Sequence, residues 1–311
     1  MVFDGNVANP LVILDGGLGR QLEAMGAPFR QPEWSALALI EAPDFVRQAH
    51  DAFIAAGAEV ISTNSYALVP FHIGDERFAA NGPDLIALSG KLARAAADAA
   101  KAPVRVAGGI PPMFGSYRPD LFDPVAAVPM MQLFRHALSP YVDLFAAETF
   151  SAIAEARCFL DVFGGAGKPL WVSLSLEDVA PEAGCPRLRS GEPLADAIAA
   201  LRMADPHQQW QALLFNCSQP EVMEDAVRVA VDCVARGGGR QQIGVYANAF
   251  PLVDPSYQGA NAELHAIRDD ITPDSYADFA ERWVAAGATI IGGCCGISPD
   301  HIRGLATRLK G

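Results

Sequence analysis

Three cysteines occupy positions where a metal or a nucleophile could be built: Cys217, in Phe215-Asn-Cys, and the adjacent pair in Gly292-Gly-Cys294-Cys295-Gly296. Each group directly follows a short apolar run, residues 212–215 in one case and 288–291 in the other. Three thiolates around Zn²⁺ leave a fourth position open, which is how catalytic zinc sites differ from closed structural ones. The flanking glycines would let the backbone turn sharply enough for both adjacent thiols to face one ion. Two competing readings stand beside this one. Free cysteine is also a small buried hydrophobe, and no C-x-x-C spacing marks a metal here. Cys294 and Cys295 could also join as a vicinal disulfide. The remaining Cys158, Cys185 and Cys233 fall in helix or loop patterns and read as structural.

Two acids occupy similar positions, Asp15 after the run 11–14 and Glu148 after 142–147. Such carboxylates could form an acid/base pair, bind a cationic group, or simply cap the next helix; capping is the plain alternative for Asp15 before Gly16-Gly17. Trp34 lies in the long segment after the first run, where its ring could cover a cation or pack on a helix. None of the six histidines follows an apolar run: His50 and His136 lie in helical patterns, and His72, His207, His265 and His301 in loops or helix starts. A Ser-His-Asp hydrolase and His-ligated zinc are both disfavoured on that ground.

Positioning these residues requires a framework of strands. Eight short apolar runs recur, at 11–14, 59–63, 104–107, 142–147, 170–176, 212–215, 243–246 and 288–291, with room for a helix between each pair. Continuous rather than alternating apolarity marks parallel strands buried on both faces. Helix punctuation fits the gaps. Pro43 opens a helical pattern that stops at Gly57, and Thr272-Pro273 and Ser298-Pro299 read as an N-cap followed by proline at the first helical position. One unit recurs, Phe53-Ile-Ala-Ala-Gly-Ala-Glu-Val-Ile against Trp283-Val-Ala-Ala-Gly-Ala-Thr-Ile-Ile. Eight β/α repeats in 311 residues predict one TIM (β/α)8 barrel over 1–311. A doubly wound sheet would want a dinucleotide glycine fingerprint, which Gly16-Gly17-Leu18-Gly19 does not match. In a barrel the chemistry sits at the C-terminal strand ends, where Asp15, Asn64 to Tyr66, Glu148, Asn216-Cys217, Asn248 and Cys294-Cys295 all fall.

Together, Leu14-Asp-Gly-Gly-Leu, Glu148-Thr, Asn216-Cys217 and Gly292-Gly-Cys-Cys-Gly296 resemble the homocysteine S-methyltransferases, in order and over nearly the whole chain. The resemblance implies that Cys217, Cys294 and Cys295 hold one Zn²⁺, and that Asp15 and Glu148 receive the homocysteine ammonium. It also implies that Tyr66 approaches the metal or donor and that Trp34 lines the donor side, with Asn216 among the substrate-binding residues. The segment Pro32-Glu-Trp-Ser-Ala-Leu-Ala-Leu-Ile resembles members using S-methylmethionine or S-adenosylmethionine, with betaine as the alternative. The loop Gly108-Gly-Ile-Pro-Pro-Met-Phe-Gly departs from that branch and leaves the donor open. The acceptor alternative is another small thiol or selenol. A non-catalytic zinc or redox sensor is the rival from a different class, but a sensor has no need of Asp15 and Glu148.

Composition supports the same reading. With 51% apolar residues the chain can bury a large core, and 19% charged residues exclude disorder by self-repulsion. A net charge of −13, without a dense Lys/Arg cluster, argues against nucleic acid and anionic membranes as partners. No apolar run approaches the ~20 residues of a membrane span, and the start lacks signal-peptide character. The expectation is a cytoplasmic enzyme whose partners are two small-molecule substrates; a homo-oligomer is left open.

Overall fold

The computed structural model describes residues 11–179, 184–205, 208–252 and 266–311. Eight parallel strands form its centre: β1 (Val12–Ile13), β2 (Val60–Ser62), β3 (Arg105–Ile110), β4 (Leu144–Phe150), β5 (Leu170–Leu174), β6 (Trp210–Asn216), β7 (Gln242–Tyr246) and β8 (Ile290–Ile291). Each falls on one of the eight apolar runs. The hydrogen-bonded order runs β1-β8-β7-β6-β5-β4-β3-β2, all pairs parallel. The ring closes between its ends through a Leu14–Val60 bridge, with Asp15 N donating to Val60 O (3.0 Å) and Glu59 N to Ile13 O (2.8 Å). This is the expected (β/α)8 barrel.

Alternation along each strand explains the unbroken apolar runs. Val60, Leu144, Ala146, Ala212, Leu214 and Ile290 point inward with Trp171 and Tyr246 to fill the barrel. Their neighbours Ile61, Phe145, Ala147, Leu213, Phe215 and Ile291 point outward and meet the helices. Both sides exclude water, so both need apolar side chains. The inward register also decides where polar groups emerge. Two residues beyond Ala146 comes Glu148, and two beyond Leu214 comes Asn216.

The helix signals hold in most places. Pro43 is the first residue of helix Pro43–Ala55, and Gly57 and Gly287 turn the chain from helix toward strand within the two recurring units at φ of +110° and +115°. Thr272 Oγ1 accepts from Ser275 N (3.2 Å), and Ser275 Oγ accepts from Thr272 N (2.9 Å). Ser298 is likewise the N-cap of helix Pro299–Lys310, with Pro299 first. Across the cap His301 Nδ1 accepts from Ser298 N (3.2 Å), while its Nε2 lies 3.0 Å from Ile271 O and so carries the proton. That histidine is structural. His50 is fully buried in helix Pro43–Ala55, where burial lowers its pKa to about 4. His207 and His265 lie outside the described residues. The long segment after β1 folds as two further helices, Leu18–Ala24 and Ser35–Glu41, ahead of Pro43–Ala55. No helix among the described residues is long and apolar enough to cross a membrane.

Candidate active site

A cavity of about 890 Å³ opens at the C-terminal ends of the strands. Its lining includes every residue singled out from the sequence: Asp15, Trp34, Tyr66, Glu148, Asn216, Cys217, Cys294 and Cys295. Cys217 follows β6 and the other two cysteines follow β8, with only β7 between them. The three sulfurs lie within 4.8 Å of one another. Cys217 and Cys294 are joined as a disulfide, with Cα atoms 5.8 Å apart, and Cys295 is a free thiol. The vicinal pairing considered from sequence is therefore not the one formed; the Cys294 and Cys295 sulfurs stand 4.0 Å apart. That spacing suits a metal. Ligands about 2.3 Å from a tetrahedral zinc are separated by about 3.8 Å. Once Cys217 and Cys294 are reduced, the trio forms a soft three-sulfur donor set facing an open cavity, and the residues fit the ion. In the metal-free chain burial pushes the Cys295 thiol up to about 11, with the Arg20 charge opposing.

Close packing brings the β1 and β8 tips together. A Cβ on Gly17 would stand 2.5 Å from the Cys294 carbonyl oxygen and 3.1 Å from Cys295 Cα, so any side chain there would displace the cysteine loop. Asp15 is 6% exposed and does not cap the following helix, whose N-terminal residue Gly17 has no side chain to offer. Its Oδ2 accepts instead from Ser62 N (2.7 Å) on β2. Burial holds the Asp15 carboxyl well above its usual range; the Ser62 N–H opposes this and the nearby Glu148 charge adds to it. Glu148 is pushed up to about 7 by burial, partly opposed by a hydrogen bond from Ser62. Space for its carboxylate comes from Gly109 on β3, where a Cβ would lie 2.7 Å from Glu148 Oε2. A buried acid, Asp15, beside a half-buried one, Glu148, is costly without a cation between them. A cation placed between the two carboxylates would offset that cost.

The remaining expected residues divide by what they touch. Tyr66 is half-buried with its hydroxyl 2.6 Å from Ser116 Oγ, and desolvation keeps the phenol neutral. Trp34 precedes helix Ser35–Glu41 at φ +49°, its ring edge-on to Phe29 at 5.6 Å. Asn64 secures that loop by donating from Nδ2 to Ser35 O (3.0 Å). Asn216 directs its amide sideways rather than into the cavity. Its Oδ1 accepts from Thr149 N (3.0 Å) and its Nδ2 donates to Thr149 Oγ1 (2.8 Å), tying the β6 tip to the residue after Glu148.

Sequence reasoning missed two lining residues, Tyr117 and Arg189, which reach the cavity from loops after β3 and β5; Asp178, at the expected fifth strand tip, and His72 line it as well. His72 Nδ1 lies 2.6 Å from Pro32 O, which fixes the approach to Trp34. No apolar run precedes Tyr117 or Arg189, so nothing local marked them. Backbone geometry marks the site independently. Five described non-glycine residues have φ between +49° and +62°; Trp34, Tyr117, Thr149 and Cys217 line this cavity, and Gln208 lies away from it. Non-glycine residues held there cost of order 1–3 kcal/mol each and gather at functional sites.

The comparisons agree with this geometry. The family model described as homocysteine S-methyltransferase matches residues 12–309. The chain belongs to that family. It is 29% identical to homocysteine S-methyltransferase 1 of Zea mays over 328 residues, covering 98% of this chain and 96% of the relative. It is 30% identical to the homocysteine S-methyltransferase of Escherichia coli over 320 residues, covering 96% and 95%. Among solved structures, the homocysteine methyltransferase MmuM from Escherichia coli in its metallated form superposes with a TM-score of 0.74 at 28% identity, over 97% of both chains. As a family member the protein is a methyltransferase.

Proposed function

We propose that the protein transfers a methyl group from a sulfonium donor, S-methylmethionine or S-adenosylmethionine, to the thiol of homocysteine, giving methionine. The observation that carries this is the meeting of a three-sulfur cluster with two acids, the buried Asp15 and the half-buried Glu148, in one cavity, since an amino-acid thiol needs both. Cys217, Cys294 and Cys295 would hold Zn²⁺, one per chain. A bound zinc ion would keep the substrate thiol ionised at neutral pH, where a free thiol with pKa near 8.5 is mostly protonated.

The chain's own residues do the rest. Asp15 and Glu148 take the ammonium and so fix the distance from the amino-acid head to the sulfur. Trp34 and Tyr66 line the donor side, where an aromatic face attracts a sulfonium cation. The acceptor sulfur attacks the methyl carbon; a new S–C bond forms as the donor S–C bond breaks. The leaving sulfur keeps that electron pair and departs neutral, so no general acid is required. No base is needed either, which fits a cavity whose lining histidine, His72, faces Pro32 O. The barrel's contribution is alignment and exclusion of water.

The thiols must stay reduced to serve a metal, which suits the cytoplasm, and we take residues 1–311 as one domain. The Cys217–Cys294 disulfide also favours a redox-sensing reading, but that reading leaves the paired acids Asp15 and Glu148 unexplained. The reduced, zinc-loaded protein should therefore be assayed with homocysteine and each of S-methylmethionine, S-adenosylmethionine and betaine. Methionine from a sulfonium donor is expected, and none from any donor would reject the proposal.

The raised acids give acceptor binding a pH dependence. Below about 7 Glu148 carries a proton in the free protein, and an ammonium must displace it. Homocysteine affinity is expected to rise with pH up to about 7 and level off above, read as Kd from pH 5.5 to 8. Glu148→Gln also removes the charge that raises Asp15, so the rising limb should move to lower pH. A profile identical in the wild type and the variant would contradict the assigned role. Stability of the ligand-free fold runs the other way. Glu148 binds its proton more tightly folded than unfolded, so its contribution is lost as pH rises from about 4.5 to about 7.

A further inference from the structure

Cys217 adopts a left-handed backbone conformation, φ +51°, that residues with a Cβ rarely adopt. Such a conformation persists only where the surroundings over-determine it. Here the surroundings are unusually specific. The Cys217 carbonyl accepts from Arg189 Nη2 at 3.0 Å and from the Tyr117 hydroxyl at 3.3 Å. Arg189 is itself pinned on several sides. Its Nε donates to Ser175 Oγ (2.7 Å), and Nη2 donates to the two Asp178 oxygens (3.1 and 3.0 Å). Its guanidinium carbon stands 4.2 Å from the centroid of the Tyr117 ring. Asp178 accepts in turn from Gln219 N (3.0 Å), two residues past the cysteine. The ion pair is well shielded, with side-chain exposures of 17% for Arg189 and 9% for Asp178.

We infer that Arg189, stacked on Tyr117 and held by Asp178, is a positioning residue for the metal site: it locks the Cys217 peptide so that the thiol faces Cys294 and Cys295. The inference rests on the three-thiolate reading above. Arg189 lies after β5, Tyr117 after β3 and Cys217 after β6, so one carbonyl gathers donors from two other loops of the barrel mouth. Only a planar guanidinium can stack on a ring while donating in three in-plane directions; an ammonium at the same place keeps the charge but not the fork. Arg189 therefore acts through the backbone of a ligand residue. Support of this kind, one step removed from the ion, typically changes metal affinity 10–100-fold.

The test compares reduced, zinc-loaded wild type with Arg189→Ala and Arg189→Lys. The readouts are the rate of zinc release into excess chelator and, in Co²⁺-substituted protein, the thiolate-to-cobalt absorption. Release at least tenfold faster in Arg189→Ala is expected, with weakened absorption and a partial return in Arg189→Lys. Release and spectrum unchanged in Arg189→Ala would overturn the inference. If Arg189→Ala does not fold, Tyr117→Phe carries the test, removing one hydroxyl from the same carbonyl. A release rate raised severalfold supports the inference, and an unchanged rate overturns it. None of these readouts depends on methionine being formed. A protein that binds zinc through the trio but methylates nothing would reject the proposed function and leave this inference standing.

Discussion

Replacing Cys217 with alanine is expected to abolish stoichiometric zinc binding and lower methyl transfer by at least about 10³-fold. Two thiols and water make a poor substitute for a three-thiolate site, so the ion is lost on desalting. Without it the acceptor is mostly a thiol at neutral pH, and the several kcal/mol that a Lewis acid supplies disappear. A loss of about 4 kcal/mol corresponds to about 10³ in rate. The fold should survive, because the substitution removes one sulfur from a cavity wall and leaves the apolar layers of β6 on both faces intact. Metal content by elemental analysis and melting temperature distinguish these effects. Full zinc occupancy in the variant would contradict the assignment of Cys217 as a ligand.

The second large effect is expected at Glu148. Glu148→Ala should raise the homocysteine Kd about 100-fold while zinc content stays at the wild-type level. Truncating one partner of a buried, hydrogen-bonded charge pair costs about 2–5 kcal/mol, and 3 kcal/mol is roughly 100-fold. Separation of the two functions is the informative part. Glu148 lies near the C-terminal end of β4 whereas the cysteines follow β6 and β8, so the amino-acid head and the metal would be held by different elements of one ring. Titration calorimetry with homocysteine on zinc-loaded protein reads the affinity. An unchanged Kd would remove Glu148 from the binding site, and loss of zinc would place it in the metal site instead.

Much of this arrangement could be read from sequence because burial on two faces leaves a strong local trace. Val60 and Ile61, or Leu214 and Phe215, are all apolar although they point opposite ways, and that pattern located all eight strands. The cysteines and acids were legible because each directly follows such a strand. What could not be read depends on contacts distant in sequence. Tyr117 meets Cys217 across 100 residues and Arg189 meets it across 28, each arriving from a loop with no apolar signature. Asn216 was correctly placed at a strand tip, yet the direction of its amide toward Thr149 is a tertiary fact. Ser298 is the N-cap that its sequence signals, but only the fold brings Ile271 O to the far side of His301 and so settles which ring nitrogen accepts. The pairing of Cys217 with Cys294, rather than Cys294 with Cys295, likewise follows from which strand tips face each other.

Methionine formation measured against zinc content tests the account most directly. Reduced protein would be stripped of metal and reloaded to a series of zinc-to-chain ratios, then assayed with homocysteine and the preferred sulfonium donor. The expected result is no turnover at zero zinc and a linear rise that stops at one zinc per chain. Undiminished methionine formation by the metal-free protein would contradict it.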